Sequence, residues 1–199
     1  MLSQDRLEYI DQIFQSLQKV EEAFAEMVFT GCVFVRCGFM QCTFRRCEFS
    51  NCTFKDCNLS VVQVPDTNMN GVVFENTKAI GVDWTKAGKD GSKLSLDIAF
   101  RQCVIDYSNF SDLMLQEIVI EKCIAHEVDF SETDLSGGLL TGTDFQGSTF
   151  LHTNLTGANL KGAVNYAIDP TANLVKGARF SLPEAVSLLR GFDVIVDWE

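Results

Sequence analysis

The chain has 199 residues, 46% of them hydrophobic, and a formal net charge of −11. That length supports one sizeable core. No run approaches the ~18 apolar residues that span a bilayer, and Met1-Leu2-Ser3-Gln4-Asp5-Arg6 lacks the cationic start and apolar stretch of a secretory signal. A cytoplasmic protein is expected. So acidic a chain is a poor direct ligand for nucleic-acid phosphates, but it suits a basic surface, including one that normally holds nucleic acid.

Residues 1–26 lie outside the pattern that follows. Leu7, Ile10, Phe14, Leu17 and Phe24 recur at helical spacing. They fit either a capping helix or a degenerate first turn of the next segment, and either would cover its open apolar end.

From Met27 the chain divides into fives. The central place of each unit holds Phe29, Phe34, Phe39, Phe44, Phe49 and Phe54, then Leu59, Val64, Met69, Phe74, Ala79 and Trp84. The place two before it holds Cys32, Cys37, Cys42, Cys47, Cys52 and Cys57, then Val62, Thr67, Val72, Thr77 and Val82. A second run begins at Ile98, with Phe100, Ile105, Phe110, Leu115, Ile120, Ala125 and Phe130 in the central place, continuing through Phe145 and Phe150 to Leu160. One inward place is thus large and apolar and the other small. A helix repeats every 3.6 residues and a strand every 2. A period of five means that the backbone turns a corner at every unit and that successive coils stack, because one coil cannot bury its own apolar residues. The evenly spaced cysteines, with no close pair and no completing histidine, read as small buried packing residues rather than as a zinc site or a disulfide framework. No metal or other cofactor is expected.

The two runs are out of phase, since Trp84 and Phe100 are sixteen residues apart, one more than three units. The intervening segment is polar and contains Lys86, Lys89 and Lys93. It reads as a loop over 85–97 or a bulged coil that either absorbs the extra residue or contacts a partner. After about residue 180 the pattern changes. Ser181-Leu182-Pro183-Glu184 has the form of a capping box, with Ser181 as N-cap, and opens a short helix. Gly191 is placed to end that helix, and Phe192–Trp198 alternates like a strand. The apolar residues Leu182, Val186, Leu188, Leu189, Phe192, Val194, Val196 and Trp198 serve either to cover the last coil or to join a second copy.

Ala158-Asn159-Leu160-Lys161-Gly162 and Thr133-Asp134-Leu135-Ser136-Gly137 resemble the A(D/N)LXX consensus of the pentapeptide-repeat family, and the resemblance runs over roughly residues 27–162. It implies an all-β fold, a right-handed quadrilateral β-helix with four units per coil. Residues twenty apart would then stack, putting Cys32 below Cys52, Cys37 below Cys57 and Cys103 below Cys123, near disulfide range. Free thiols are expected in a reducing compartment. Asn165-Tyr166-Ala167-Ile168-Asp169 and the segment 178–185 are similar to the subgroup of quinolone-, albicidin- and microcin-resistance proteins. That likeness implies a homodimer joined at its C-termini, a DNA-like rod acting on DNA gyrase or another type II topoisomerase, without direct nucleic-acid or membrane binding.

Charge is unevenly spread. Residues 27–86 hold six basic and five acidic residues, whereas 98–162 hold three basic and nine acidic. Asp112, Glu117, Glu121, Glu127, Asp129, Glu132 and Asp134 form the expected partner-binding acidic set. Acids just before a central residue also suit a turn preference, so a merely solvated face is the competing reading. A scaffold for some other protein is the alternative function. No nucleophile, phosphate-loop or metalloprotease motif is present, and the two histidines, His126 and His152, fall at surface places, so an enzyme is not expected.

Overall fold

The computed structural model describes residues 7–88, 96–192 and 194. They form a right-handed, four-sided parallel β-helix of about eight turns. Each coil contributes one short strand or bridge to each of four faces, and the next coil adds a parallel neighbour. In chain order, face 1 carries Tyr9, Phe29, Phe49 and Met69, and face 2 carries Phe14, Phe34, Phe54, Phe74, Phe100 and Ile120. Face 3 carries Lys19, Phe39, Leu59, Ala79, Ile105 and Ala125, and face 4 carries Phe24, Phe44, Val64, Trp84, Phe110 and Phe130.

The stack holds because every unit aims its side chains the same way. Central rings pile face to face along each side, with centroids 4.6 Å apart for Phe34 and Phe54 and 4.8 Å for Phe29 and Phe49. Rings on adjacent sides meet edge-on, as Phe29 and Phe34 do at 67°. Both geometries suit the aromatic quadrupole. Between coils the ladder is continuous: Phe39 N–H donates to Asn58 O at 2.7 Å, and Asn58 N–H donates to Cys37 O at 2.9 Å.

Each corner falls two residues after a central one and takes positive φ, as at Asp11 (48°), Asp112 (58°) and Glu132 (59°). In the second half a β-turn closes the corner, with Gly138 N–H donating to Leu135 O at 3.0 Å, and glycine occupies the strained place at Gly137 and Gly142. The residue before the centre completes the corner. Asp129, Asp134 and Asp144 accept the backbone N–H of Ser131, Ser136 and Gln146 at 2.9–3.1 Å. The Asp/Asn preference at that place is therefore a local turn requirement.

The small inward residues do more than pack. Thr67 Oγ1 accepts Cys47 N–H at 3.1 Å and donates to Phe44 O at 2.8 Å, tying one coil to the coil before it. Thr77 and Thr143 repeat both bonds, and Cys32 and Cys52 repeat the donation through sulfur. All eight cysteines are buried free thiols.

Residues 8–25 form four three-residue strands rather than a helix. Tyr9, Phe14 and Phe24 point inward, while Leu7 and Ile10, both counted in the helical spacing, are about half exposed. Three inward places of this coil are polar, Gln12, Lys19 and Glu22, and two of their occupants pair: Lys19 Nζ lies 3.0 Å from Glu22 Oε1. That pair lies at the open end of the stack, where an exposed charge is tolerated.

The phase shift is larger than one residue. Phe74 stacks on Phe100 and Trp84 on Phe110, twenty-six positions on rather than twenty. Six extra residues therefore fall in sequence between Gly88, whose N–H bonds Thr67 O, and Leu96, which is buried. Lys89 and Lys93 lie outside the described residues.

Near the C-terminus, Phe150 pairs with Ile168 at a spacing of eighteen. Asn165 turns the corner early, and Tyr166 fills the inward place. Glu184–Phe192 is a 3₁₀-helix, and the capping box does not form as expected. Ser181 Oγ accepts the N–H of Gly162 at 2.8 Å, so this hydroxyl closes a solenoid corner instead of the helix start. Gly191 does not act as a left-handed C-cap; it lies inside the 3₁₀-helix and packs against Asp169.

Candidate partner-binding surface

Six of the seven sequence-selected acids fall in one band. Glu127 is the corner between faces 3 and 4, and Asp129 lies on face 4. Asp112 and Glu132 stack at the corner between faces 4 and 1, Asp134 lies on face 1, and Glu117 is at its far corner. Two successive coils thus carry all six across two adjacent faces. Glu121 is separate: it lies on face 2, and its carboxylate holds Arg101 at 2.6 Å.

The corner acids have no alternative to pointing outward, because a positive-φ corner throws its side chain away from the core. Asp134 is more constrained. Burial pushes its carboxyl up, but hydrogen bonds from Ser136, Gln116 (2.7 Å) and Asn154 (3.0 Å) outweigh that and hold it below the usual carboxylate range. Asp144 is likewise held low, against burial, by Asn165 at 2.9 Å and His126 at 3.2 Å. Both stay ionised at neutral pH, Asp134 within the band and Asp144 on face 3.

Gly88, the last described residue before the insertion, lies on face 1, one coil before Met114. Lys86, the one described lysine of segment 85–97, lies one coil below Asp112 and 3.7 Å from Asp83. At the C-terminal end Leu188 packs on the core, while Leu182 (78% exposed), Phe192 (56%) and Val194 (50%) face solvent. Val186 is half-buried and Leu189 exposed; Val196 and Trp198, with most of the expected strand, lie outside the described residues. Tyr166 lies beneath this segment, its hydroxyl without a partner and its pKa pushed up to about 12, first by burial and then by the charge of Glu184.

The inward thiols are buried and do not share one environment: hydrogen bonds from Cys57 and Cys123 hold Cys37 and Cys103 low against burial. Burial pushes Cys52 up to about 11, and the hydrogen bond to Cys37, with burial, raises Cys57. Among the described residues no group of three His, Cys, Asp or Glu side chains is placed to hold a metal ion, and no helix is long and apolar enough to cross a membrane.

Two family models match the sequence, "Pentapeptide repeat region" over residues 27–95 and "Pentapeptide repeats (8 copies)" over 126–163, together more than half of the chain. The chain belongs to the pentapeptide-repeat family. Among solved structures, full-length QnrB1, described as a plasmid-mediated fluoroquinolone resistance protein, superposes with a TM-score of 0.66 at 19% identity, covering 94% of this chain and 100% of QnrB1. A trypsin-treated QnrB1 variant gives 0.64 at 20% identity, covering 97% and 100%. HetL, a pentapeptide-repeat protein of heterocyst differentiation regulation in the cyanobacterium Nostoc, gives 0.44 at 11% identity, covering 87% and 89%. A search of curated proteins returns no significant match.

Proposed function

We propose that this protein binds DNA gyrase, or another type II topoisomerase, as a DNA mimic and protects it from topoisomerase poisons such as quinolones or natural toxins. The observation that carries the reading is the end-to-end likeness to a fluoroquinolone resistance protein, which covers 97% of this chain and all of the other. The acidic band supports it physically. A stiff rod with fixed carboxylates on two adjacent faces presents closely spaced negative charge to a basic DNA-binding saddle, and such attraction steers association. In this reading the protein acts in the cytoplasm by binding rather than by catalysis. Two copies join through Leu182, Leu189, Phe192 and Val194 and bring their acidic halves to the middle of the rod.

The test is a gyrase supercoiling assay titrated with the protein, with and without a cleavage-stabilising quinolone. Restored supercoiling with less cleaved DNA is the expected result. No change in either condition, with a folded protein, would refute the reading.

A further inference from the structure

Face 2 differs from the other three. The residues just before its central ones point outward, yet they are Ile13, Val33, Val73, Ala99, Val119 and Leu139, interrupted only by Thr53. The same row on face 4 reads Ala23, Thr43, Gln63, Asp83, Asn109, Asp129 and Thr149. Face 2 also has the most continuous strand pairing, through successive parallel partners from Ile13–Gln15 to Val119–Glu121. A polar row would serve solubility equally well, so an apolar stripe along a flat sheet calls for a covering surface.

The charges beside the stripe indicate which surface. The row just after the central residues reads Lys55, Glu75, Arg101, Glu121 along the solenoid, pairing at 3.4 Å and 2.6 Å at its two ends. Read in reverse, the series has the opposite sign at every place. A two-fold axis lying along the strands, between the rows of Phe74 and Phe100, would set Lys55 against Glu121 of a second copy and Glu75 against Arg101. The same axis sets corner Asp56 against corner Lys122, Val33 against Leu139, and Val73 against Ala99. The charged and apolar pairs named here are complementary to themselves, which is the condition for an isologous contact.

We infer that face 2 is a self-association surface, on which a second copy of this chain docks side by side and antiparallel. The six rows that the axis pairs, ~4.8 Å apart, make a strip ~25 Å long and about one short strand wide. That is well below the ~800 Å² per partner of a permanent interface, so the dimer is weak and concentration-dependent. The inference does not rest on gyrase binding, and it uses a different surface from the C-terminal contact.

Sedimentation of the full chain over a wide concentration range tests it. A doubling of mass beyond the C-terminal species is expected at high concentration, to a dimer where that contact is absent and a tetramer where it forms; the doubling is lost in Glu75→Lys and recovered in the Glu75→Lys/Arg101→Glu double variant, with all three melting as folded proteins. Cross-linking gives an independent reading. Equal amounts of a Thr53→Cys chain and a Val119→Cys chain, treated with a bismaleimide matched to the ~10 Å between packed sheets, should yield a linked pair that neither chain yields alone. No doubling of mass up to the solubility limit, or a doubling untouched by Glu75→Lys with no better cross-linking in the mixture, would overturn the inference.

Discussion

Thr67 sits directly above Cys47 in the stack and bonds its coil twice, accepting Cys47 N–H at 3.1 Å and donating to Phe44 O at 2.8 Å. Both backbone groups are sealed from water, since Thr67 is fully buried. Thr67→Val keeps shape and volume but leaves a buried donor and a buried acceptor with one partner fewer. The variant should lose about 1–3 kcal/mol, read as a lower denaturation midpoint, whereas Thr67→Ser should lose less. Equal losses for Val and Ser would show that packing, not the hydroxyl, decides this place.

The buried thiols set a limit at alkaline pH. Cys52 is held neutral by burial, its pKa raised from 9.0 to about 11. Its contribution to stability is present below pH 9, where both states keep the proton, and is lost as pH rises through about 11, because the unfolded chain releases its proton first. A two-unit shift corresponds to about 2–3 kcal/mol. Unfolding midpoints should fall between pH 9 and 11, and Cys52→Ala should flatten that decline. A parallel fall in the variant would assign the effect to other groups.

The acid limb has the opposite sign. Asp134 and Asp144 are held below the usual 3.8, so their stabilisation is present above that value and lost as pH falls through the folded pKa. Asp134→Asn keeps an acceptor for the Ser136 N–H but removes the charge. Its stability between pH 2 and 4 should vary less steeply than the parent's, as measured by thermal melts across that range.

Much of this molecule is legible in the residues because a period of five leaves so few alternatives. Phe29 through Phe54 and the cysteine row fix which places face inward, and the structure puts them there. Four features were hidden for physical reasons. Lys19 and Glu22 break the apolar pattern of the first coil, since an end coil tolerates a paired charge indoors. The insertion reads as one residue because sixteen is close to three units; only the stacking of Phe74 on Phe100 shows that one coil carries six more. The cysteine row reads as packing because sulfur hides the role that Thr67 and Thr77 make visible, a bond between coils. Among the acids, Glu121 could not be told from its neighbours until the coil placed Arg101 twenty positions before it.

The placement of the acids leads to the most direct test of the proposed function. Asp112, Glu127, Asp129 and Glu132 lie on two successive coils of one band, whereas Glu121 is on another face and neutralised by Arg101. Replacing the four with Asn or Gln keeps the corners, because the amide oxygen introduced by Asp129→Asn would still accept the Ser131 N–H. If the band steers the protein to a basic saddle, the quadruple variant should bind gyrase at least tenfold more weakly, and its affinity should depend less on salt. Glu121→Gln should bind as the parent does. Equal weakening in both would mean that only total charge matters, and parent-like binding by a folded quadruple variant would remove the acidic band from the interface.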